Sequence, residues 1–149
     1  MTNPRPKLDQ LNIVSKDPAA SVAFYRRLGV NIPDQRVWRT DTGIHHVGAK
    51  GSEDVDLDID SIAFAQIWNS GWKGRSDLAG RVVVGFGLPS REAVDALYGD
   101  LTANGYKGLQ PPYDAFWGAR YAMVEDPDGI AVGLMSPITP EDRSPPPEV

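Results

Sequence analysis

The sequence predicts an α+β fold built from two tandem βαβββ modules. Three observations lead there: short segments that alternate polar and apolar residues, two amphipathic helices that each open on a capping residue and close on glycine, and recurrence of that pattern at an offset of roughly half the chain. At 149 residues, 41% hydrophobic and 23% charged, the chain has the composition of one ordinary globular domain. With 20 acidic against 15 basic residues the net charge is −5, which disfavours a nucleic-acid partner and favours neutral or cationic small molecules. The absence of cysteine excludes disulfides, thiolate metal sites and cysteine nucleophiles. Met1-Thr-Asn-Pro-Arg-Pro6 lacks the apolar region of a signal peptide and no window has the apolar length of a membrane helix, so a cytoplasmic protein without a membrane partner is expected.

The first strand is read at Leu8 to Val14, where Leu11 and Ile13 share one face and Gln10, Asn12 and Val14 the other. Asp17-Pro18 supplies a helix N-cap and a first-turn proline, Ala20, Phe24 and Leu28 recur on one helical face, and Gly29 stands where a C-cap glycine belongs. Arg36 to Thr40, Ile44 to Ala49 and Val55 to Ile59 follow as strands, separated by Asp41-Thr42-Gly43 and by a turn at Gly51-Ser52. From Ser61 to Trp72 the chain is an aromatic linker, with Phe64, Trp68 and Trp72 at a spacing compatible with a short helix capped by Asp60 or Ser61.

The pattern then repeats. Arg81 to Phe86 is a valine-rich strand, Ser90 caps a helix in which Ala93, Leu97 and Leu101 share a face, and Asn104-Gly105 ends it. A strand near Lys107 to Gln110 leads to the turn-like Pro111-Pro112-Tyr113-Asp114. A hairpin follows around Asp126-Pro127-Asp128-Gly129, with its strands near Val124 and at Ile130 to Met135. Phe24-Tyr25 corresponds to Leu97-Tyr98, and Gly51 to Asp54 to Asp126 to Gly129, as expected for an internal duplication. The expected organisation is a tail at 1–6, a domain at 7–137 and a polar, proline-rich mobile tail at 138–149; within the domain, module 1 covers about 7–60, the linker about 61–80 and module 2 about 81–137.

Asp17-Pro18, the helix end Phe24-Tyr25-Arg26-Arg27-Leu28-Gly29, Trp117-Gly-Ala-Arg-Tyr121 and Asp126-Pro-Asp-Gly129, each in its slot of a duplicated βαβββ pattern, resemble the glyoxalase/bleomycin-resistance/dioxygenase group, the vicinal oxygen chelate superfamily. The resemblance covers nearly the whole chain apart from its tails. It implies two modules whose mixed sheets curl into a cup, helices on the convex face, a small-molecule ligand on the concave face, and a homodimer. In the metal enzymes of that group, ligands stand on the first and last strands of each module. Here those positions carry Gln10, Val83, Asp58 and Gly133.

Strand alternation gives a check on this register that does not depend on the family. A helix-covered face must be apolar, which assigns Leu11, Ile13, Val55, Leu57, Ile59, Val82, Val84, Phe86, Ile130, Val132 and Leu134 to it. The opposite face then carries Gln10, Asn12, Asp56, Asp58, Asp60, Val83, Gly85, Ala131, Gly133 and Met135. Of the four ligand-equivalent positions only Gln10 and Asp58 could bind a metal, and His46 could supply a third ligand if its ring faces them. Two oxygen donors make a weak site for zinc, nickel or iron. No cofactor is expected on the leading reading, and a divalent metal such as Zn, Ni or Fe at Gln10, His46 and Asp58 on the alternative.

The leading reading is a metal-independent small-molecule-binding protein, holding an aromatic or heteroaromatic ligand between Trp and Asp residues. The alternative is a metal-dependent lyase, isomerase or dioxygenase, in which Asp58 is the catalytic base. Ligand-contact candidates are Gln10, Asn12, Trp38, His46, Asp56, Trp68, Trp72, Trp117 and Met135, with Arg120 for an anionic group. The alternation of Asp56, Asp58 and Asp60 equally describes a solvated strand face, and tryptophans equally fill cores or interfaces. Glycines at 85 and 133 suggest room for a bulky ligand over the sheet.

Overall fold

A computed structural model of the chain describes residues 10–50, 55–68, 82–145 and 147. The tail at 1–6, the Gly51–Asp54 turn, Trp72 and most of the linker lie outside the described residues. The chain divides into two compact units, residues 1–75 and 76–149.

Unit 1 has the order β1 (Gln10–Ser15), α1 (Pro18–Leu28), β2 (Val37–Thr40), β3 (Gly43–Lys50), β4 (Asp56–Ser61) and α2 (Ile62–Trp68). Its sheet runs β1-β4-β3-β2, with β1 parallel to β4 and the other pairs antiparallel. Unit 2 repeats this with β5 (Val83–Gly87), α3 (Arg91–Ala103), β6 (Gly108–Asp114), β7 (Arg120–Glu125) and β8 (Ala131–Met135), in the order β5-β8-β7-β6 with β5 parallel to β8. The same strand order twice, each time with one parallel pair closed by a helix, is the duplication that the sequence predicts.

The helix ends form for the reasons their residues suggest. The Asp17 carboxylate accepts the Ala20 N–H at 3.1 Å, and Gly29 closes α1 at φ 114°, donating its N–H to Tyr25 and Arg26. Ser90 accepts the Ala93 N–H at 3.1 Å at the start of α3. Phe24, Tyr25 and Leu28 of α1 are buried, and the helix packs on β3 and β4 over Ile13, Val47, Leu57 and Ile59. Each such side chain stabilises the fold by about 1.5–3 kcal/mol relative to exposure. In unit 2, α3 packs on β6, β7 and β8 with Val94 and Leu101 fully buried among Val84, Ala122, Val124, Val132 and Leu134, while Ala93 and Leu97 lie at the margin of that face.

Two local expectations change. Pro111 to Asp114 is not a turn but the second half of β6, which is an edge strand with register shifts on both sides of Gln110. An edge strand with bulges tolerates prolines because their missing N–H groups need no partner there. The linker helix α2 lies against β1, β3 and β4 and sets its Phe64 and Trp68 rings beside His46 and Asp60, on the face away from α1. Part of the C-terminal tail makes backbone hydrogen bonds to the 115–119 turn, Thr139 N–H to Gly118 O at 2.8 Å and Ser144 N–H to Phe116 O at 2.9 Å. Gly118, at φ 95°, has no room for a side chain, since a Cβ would meet the Thr139 carbonyl at 2.5 Å.

Candidate functional site: the polar face of unit 1

Residues paired across a sheet share a face, so the register of unit 1 arranges its polar side chains in three rows. The outer row is Gln10, Asp56 and Lys50; the middle row Asn12, Asp58 and Gly48; the inner row Val14, Asp60, His46 and Trp38. Burial deepens across them. Asp56 is exposed, Asp58 half-buried and Asp60 only 2% exposed, because α2 covers the inner row.

A carboxylate buried this deeply needs partners, and Asp60 has three. His46 Nδ1 lies 2.5 Å from Oδ1, while Oδ2 accepts the Asn12 amide at 2.9 Å and the Trp68 indole N–H at 3.1 Å. When the carboxylate accepts from Nδ1–H of a neutral His46 ring, Nε2 is left as an acceptor. Asp58 in turn accepts the Gln10 side-chain amide through Oδ2. Its Oδ1 and His46 Nε2 both border the space over Gly48, lying 3.7 and 3.9 Å from where a Cβ there would sit.

Rings flank this arrangement. Phe64 meets His46 edge-on at 5.9 Å and Trp38 at 5.4 Å; Trp38 is 49% exposed and Trp68 47%. An open groove of about 730 Å³ runs along β2, bordered by Arg36, Trp38, Arg39, His46 and Gly48. His45 points elsewhere, bonded to Thr42 and Ser61.

Unit 2 places its candidates in a different setting. Trp117 stands edge-on to Phe116, Tyr121 and Tyr113 at 5.2, 5.4 and 6.4 Å, and Met135 is the cross-strand partner of Tyr121. The Tyr121 ring lies over Gly133, where a Cβ would meet its hydroxyl at 2.7 Å. Gly133 is therefore buried under the protein's own side chain and offers no open floor, a correction to the expectation of free space there; only Gly85 is open. Burial, with Tyr113 as a smaller cause, holds the Tyr121 phenol above its ordinary pKa. Arg120 alternates with Tyr121 and turns to the helix side, bonding Asp95 at 2.9 Å and Asp114 at 3.2 Å. The bond to Asp95, reinforced by Asp114 against a lowering by burial, keeps its guanidinium above the usual pKa.

Among the described residues no three His, Cys, Asp or Glu side chains are grouped to hold a metal. Gln10, His46 and Asp58 bring one imidazole and one carboxylate, and the Gln10 amide is turned to Asp58 as a donor. Val83 and Gly133, at the equivalent positions of unit 2, have no donor atom. This set does not fit a zinc, nickel or iron centre with three protein ligands.

The alternation placed Gln10, Asn12, Asp56, Asp58 and Asp60 on one face and left His46 open; the register puts all of these, with Trp38 and His46, in adjacent rows of that face. The sequence did not single out Asp60 as the organising acceptor, Phe64 as a wall, or Gly48 as the gap. The signals for Asp60 were its place in the Asp56-Asp58-Asp60 alternation and its position just before the helix that buries it.

The family model of the glyoxalase/bleomycin resistance protein/dioxygenase superfamily matches residues 7–134. No curated protein matches the chain. Among solved structures, a glyoxalase/bleomycin resistance protein/dioxygenase from Nocardioides is similar with a TM-score of 0.71 at 23% identity, over 99% of this chain and 92% of that one. A glyoxalase/bleomycin resistance protein/dioxygenase family enzyme from Burkholderia phytofirmans PsJN gives 0.72 at 18% identity, over 88% and 98%. A glyoxalase-related enzyme from Fulvimarina pelagi gives 0.71 at 21% identity, over 93% and 95%. At these identities the structural likenesses carry the fold alone, and the family match over most of the sequence carries the membership: the chain belongs to the glyoxalase/bleomycin resistance protein/dioxygenase superfamily.

Proposed function

We propose that this chain is a small-molecule-binding member of its superfamily that works without a catalytic metal, and that its ligand is a flat aromatic or heteroaromatic compound resting on the polar face of unit 1. The observation that carries this reading is the row centred on Asp60. A buried carboxylate that orders His46, Asn12 and Trp68 is costly to build, and it sets the His46 ring beside Asp58 Oδ1 and the exposed indole rings. Trp38 and Trp68 supply the stacking surfaces, and Asp58 takes the hydrogen bond or proton that the ligand donates. Trp117 and Met135 form a separate aromatic surface in unit 2. The family resemblance supports a homodimer, which light scattering of the purified protein tests.

The metal-dependent alternative needs a third strong ligand that the described residues do not bring. Tryptophan fluorescence titrated against a panel of flat aromatic compounds tests the binding reading. Saturable quenching by members of the panel, lost when Trp38 and Trp68 are replaced by leucine, is the expected result; silence across a broad panel rejects it.

A further inference from the structure

Gly48 occupies a special point on the polar face. It is the cross-strand partner of Asp58 and stands two residues beyond His46, and it lines the open groove along β2 together with His46 and Trp38. Nothing requires glycine for the backbone, since its φ lies outside the left-handed range, and a Cβ built there would make only ordinary contacts, at 3.7 Å to Asp58 Oδ1 and 3.9 Å to His46 Nε2. The missing side chain therefore leaves a gap bordered by two acceptors and no donor. Asp58 spends Oδ2 on Gln10 and has no ion pair among the described residues, and in the neutral ring that donates Nδ1–H to Asp60 the Nε2 atom is an acceptor. A further acceptor, Asn12 Oδ1, lies buried without a hydrogen-bond partner on the same row as Asp58 and Gly48.

The charges around the gap decide what suits it. Lys50 stands opposite Asp56 in the outer row, and Asp34, Arg36 and Arg39 border the groove, whereas Asp58 beside the gap is matched only by a neutral amide. We propose that the gap over Gly48 is a slot for a flat cation with adjacent N–H groups, an aryl amidine or a protonated aminoazine, that donates to Asp58 Oδ1 and His46 Nε2 while its ring reaches Trp38. This rests on the proposed function, which it narrows from flat aromatic ligands in general to cationic ones with paired donors. Gly48 is then a specificity-determining residue, because even a methyl group would fill the slot.

The test uses the full chain, tryptophan fluorescence, and two probes of similar size, benzamidine and the donor-free neutral ester methyl benzoate. Benzamidine is expected to bind roughly tenfold or more tightly than the ester, the difference that charge-assisted hydrogen bonds supply. Gly48→Ala is expected to remove that advantage while leaving the melting temperature unchanged. Asp58→Asn, which keeps shape and removes charge, is expected to reduce benzamidine binding in the same way. Equal affinity for the two probes, or benzamidine binding that survives Gly48→Ala, overturns the slot. Ester binding without a benzamidine preference does so while leaving the binding function standing. If benzamidine is silent the slot is rejected, and the wider aromatic panel then decides whether the binding function falls with it.

Discussion

The two units share a topology and differ in what they place on the face opposite their principal helix. The inner row of unit 1 is Val14, Asp60, His46 and Trp38, and the matching row of unit 2 is Gly87, Met135, Tyr121 and Tyr113. The middle row is Asn12, Asp58 and Gly48 in unit 1 and Gly85, Gly133 and Met123 in unit 2. Where unit 1 carries the carboxylates Asp58 and Asp60, unit 2 carries Gly133 and Met135. The buried faces match, since Leu57, Ile59, Val132 and Leu134 do the same work under α1 and α3. Duplication preserved the side that folds the unit and left the other side to diverge. In unit 1 Gly48 stands open between polar atoms; in unit 2 the Tyr121 ring lies over Gly133.

Breaking the hub of the polar face gives the largest expected effect. Asp60→Ala leaves the His46 Nδ1–H, the Asn12 amide and the Trp68 indole without their acceptor. Half-buried donors left unpaired, together with the loss of charge-assisted bonds, predict destabilisation of about 2–4 kcal/mol. Urea denaturation measures it. A loss below about 0.5 kcal/mol, the range of an ordinary surface change, means that Asp60 does not organise this face.

What was legible in the sequence follows the same division. Capping residues, alternation and the Asp126–Gly129 turn act locally, so the helix ends, strand faces and hairpin could be read directly. Asp126 accepts the Asp128 and Ile130 N–H groups at 2.8 and 2.9 Å, and Gly129 takes φ 84°. Which side chain covers which was not legible, because it depends on contacts between elements far apart in sequence. The bonds from Asn12 to Asp60 and from His46 to Asp60 span 48 and 14 residues. For Arg120 the nearby Asp114 could be read as a partner, but Asp95, 25 residues away on α3, cannot be placed by local pattern. Gly133 looked like free space for the same reason, since Tyr121 reaches it only across the hairpin.

Sharpening the comparison in unit 2 calls for smaller changes. Gly133 and Gly85 are cross-strand partners with opposite surroundings. Gly133→Ala pushes a Cβ into the Tyr121 ring, with ring carbons at 3.2 and 3.3 Å, and overpacking of this kind predicts a loss of about 1–2 kcal/mol. Gly85→Ala meets nothing within 4 Å and is expected to be neutral within about 0.5 kcal/mol. Equal effects from the two would mean that Tyr121 does not fill the space over Gly133. The raised pKa of Tyr121 adds a titration test. Its neutral form is favoured in the folded state, so this contribution is fully present below the unfolded tyrosine pKa of about 10 and is lost as pH rises through the higher folded value. Wild type should therefore lose more stability than Tyr121→Phe between about pH 9 and about pH 11. Parallel losses would show that the phenol titrates as if exposed.

The smallest expected effect is that of metal, and it bears on the polar face itself. Asp58 and His46 are the ionisable donors beside Gly48, Gln10 is engaged as a donor to Asp58, and Asp60 is committed to three partners. Recruiting Asp60 to a metal would strip the Asn12 and Trp68 donors of their acceptor, so the network that orders His46 works against a third ligand. A metal held at a hundredfold excess over its Kd would raise stability by about 2.7 kcal/mol, a shift easily seen in a melt. The expected outcome is instead a melting temperature unmoved by EDTA or by added zinc, nickel or iron, and substoichiometric metal in protein purified without chelator. Near-stoichiometric metal with a chelator-sensitive melt would reverse the reading of this face, because Asp60 would then have to exchange its hydrogen-bond donors for a cation.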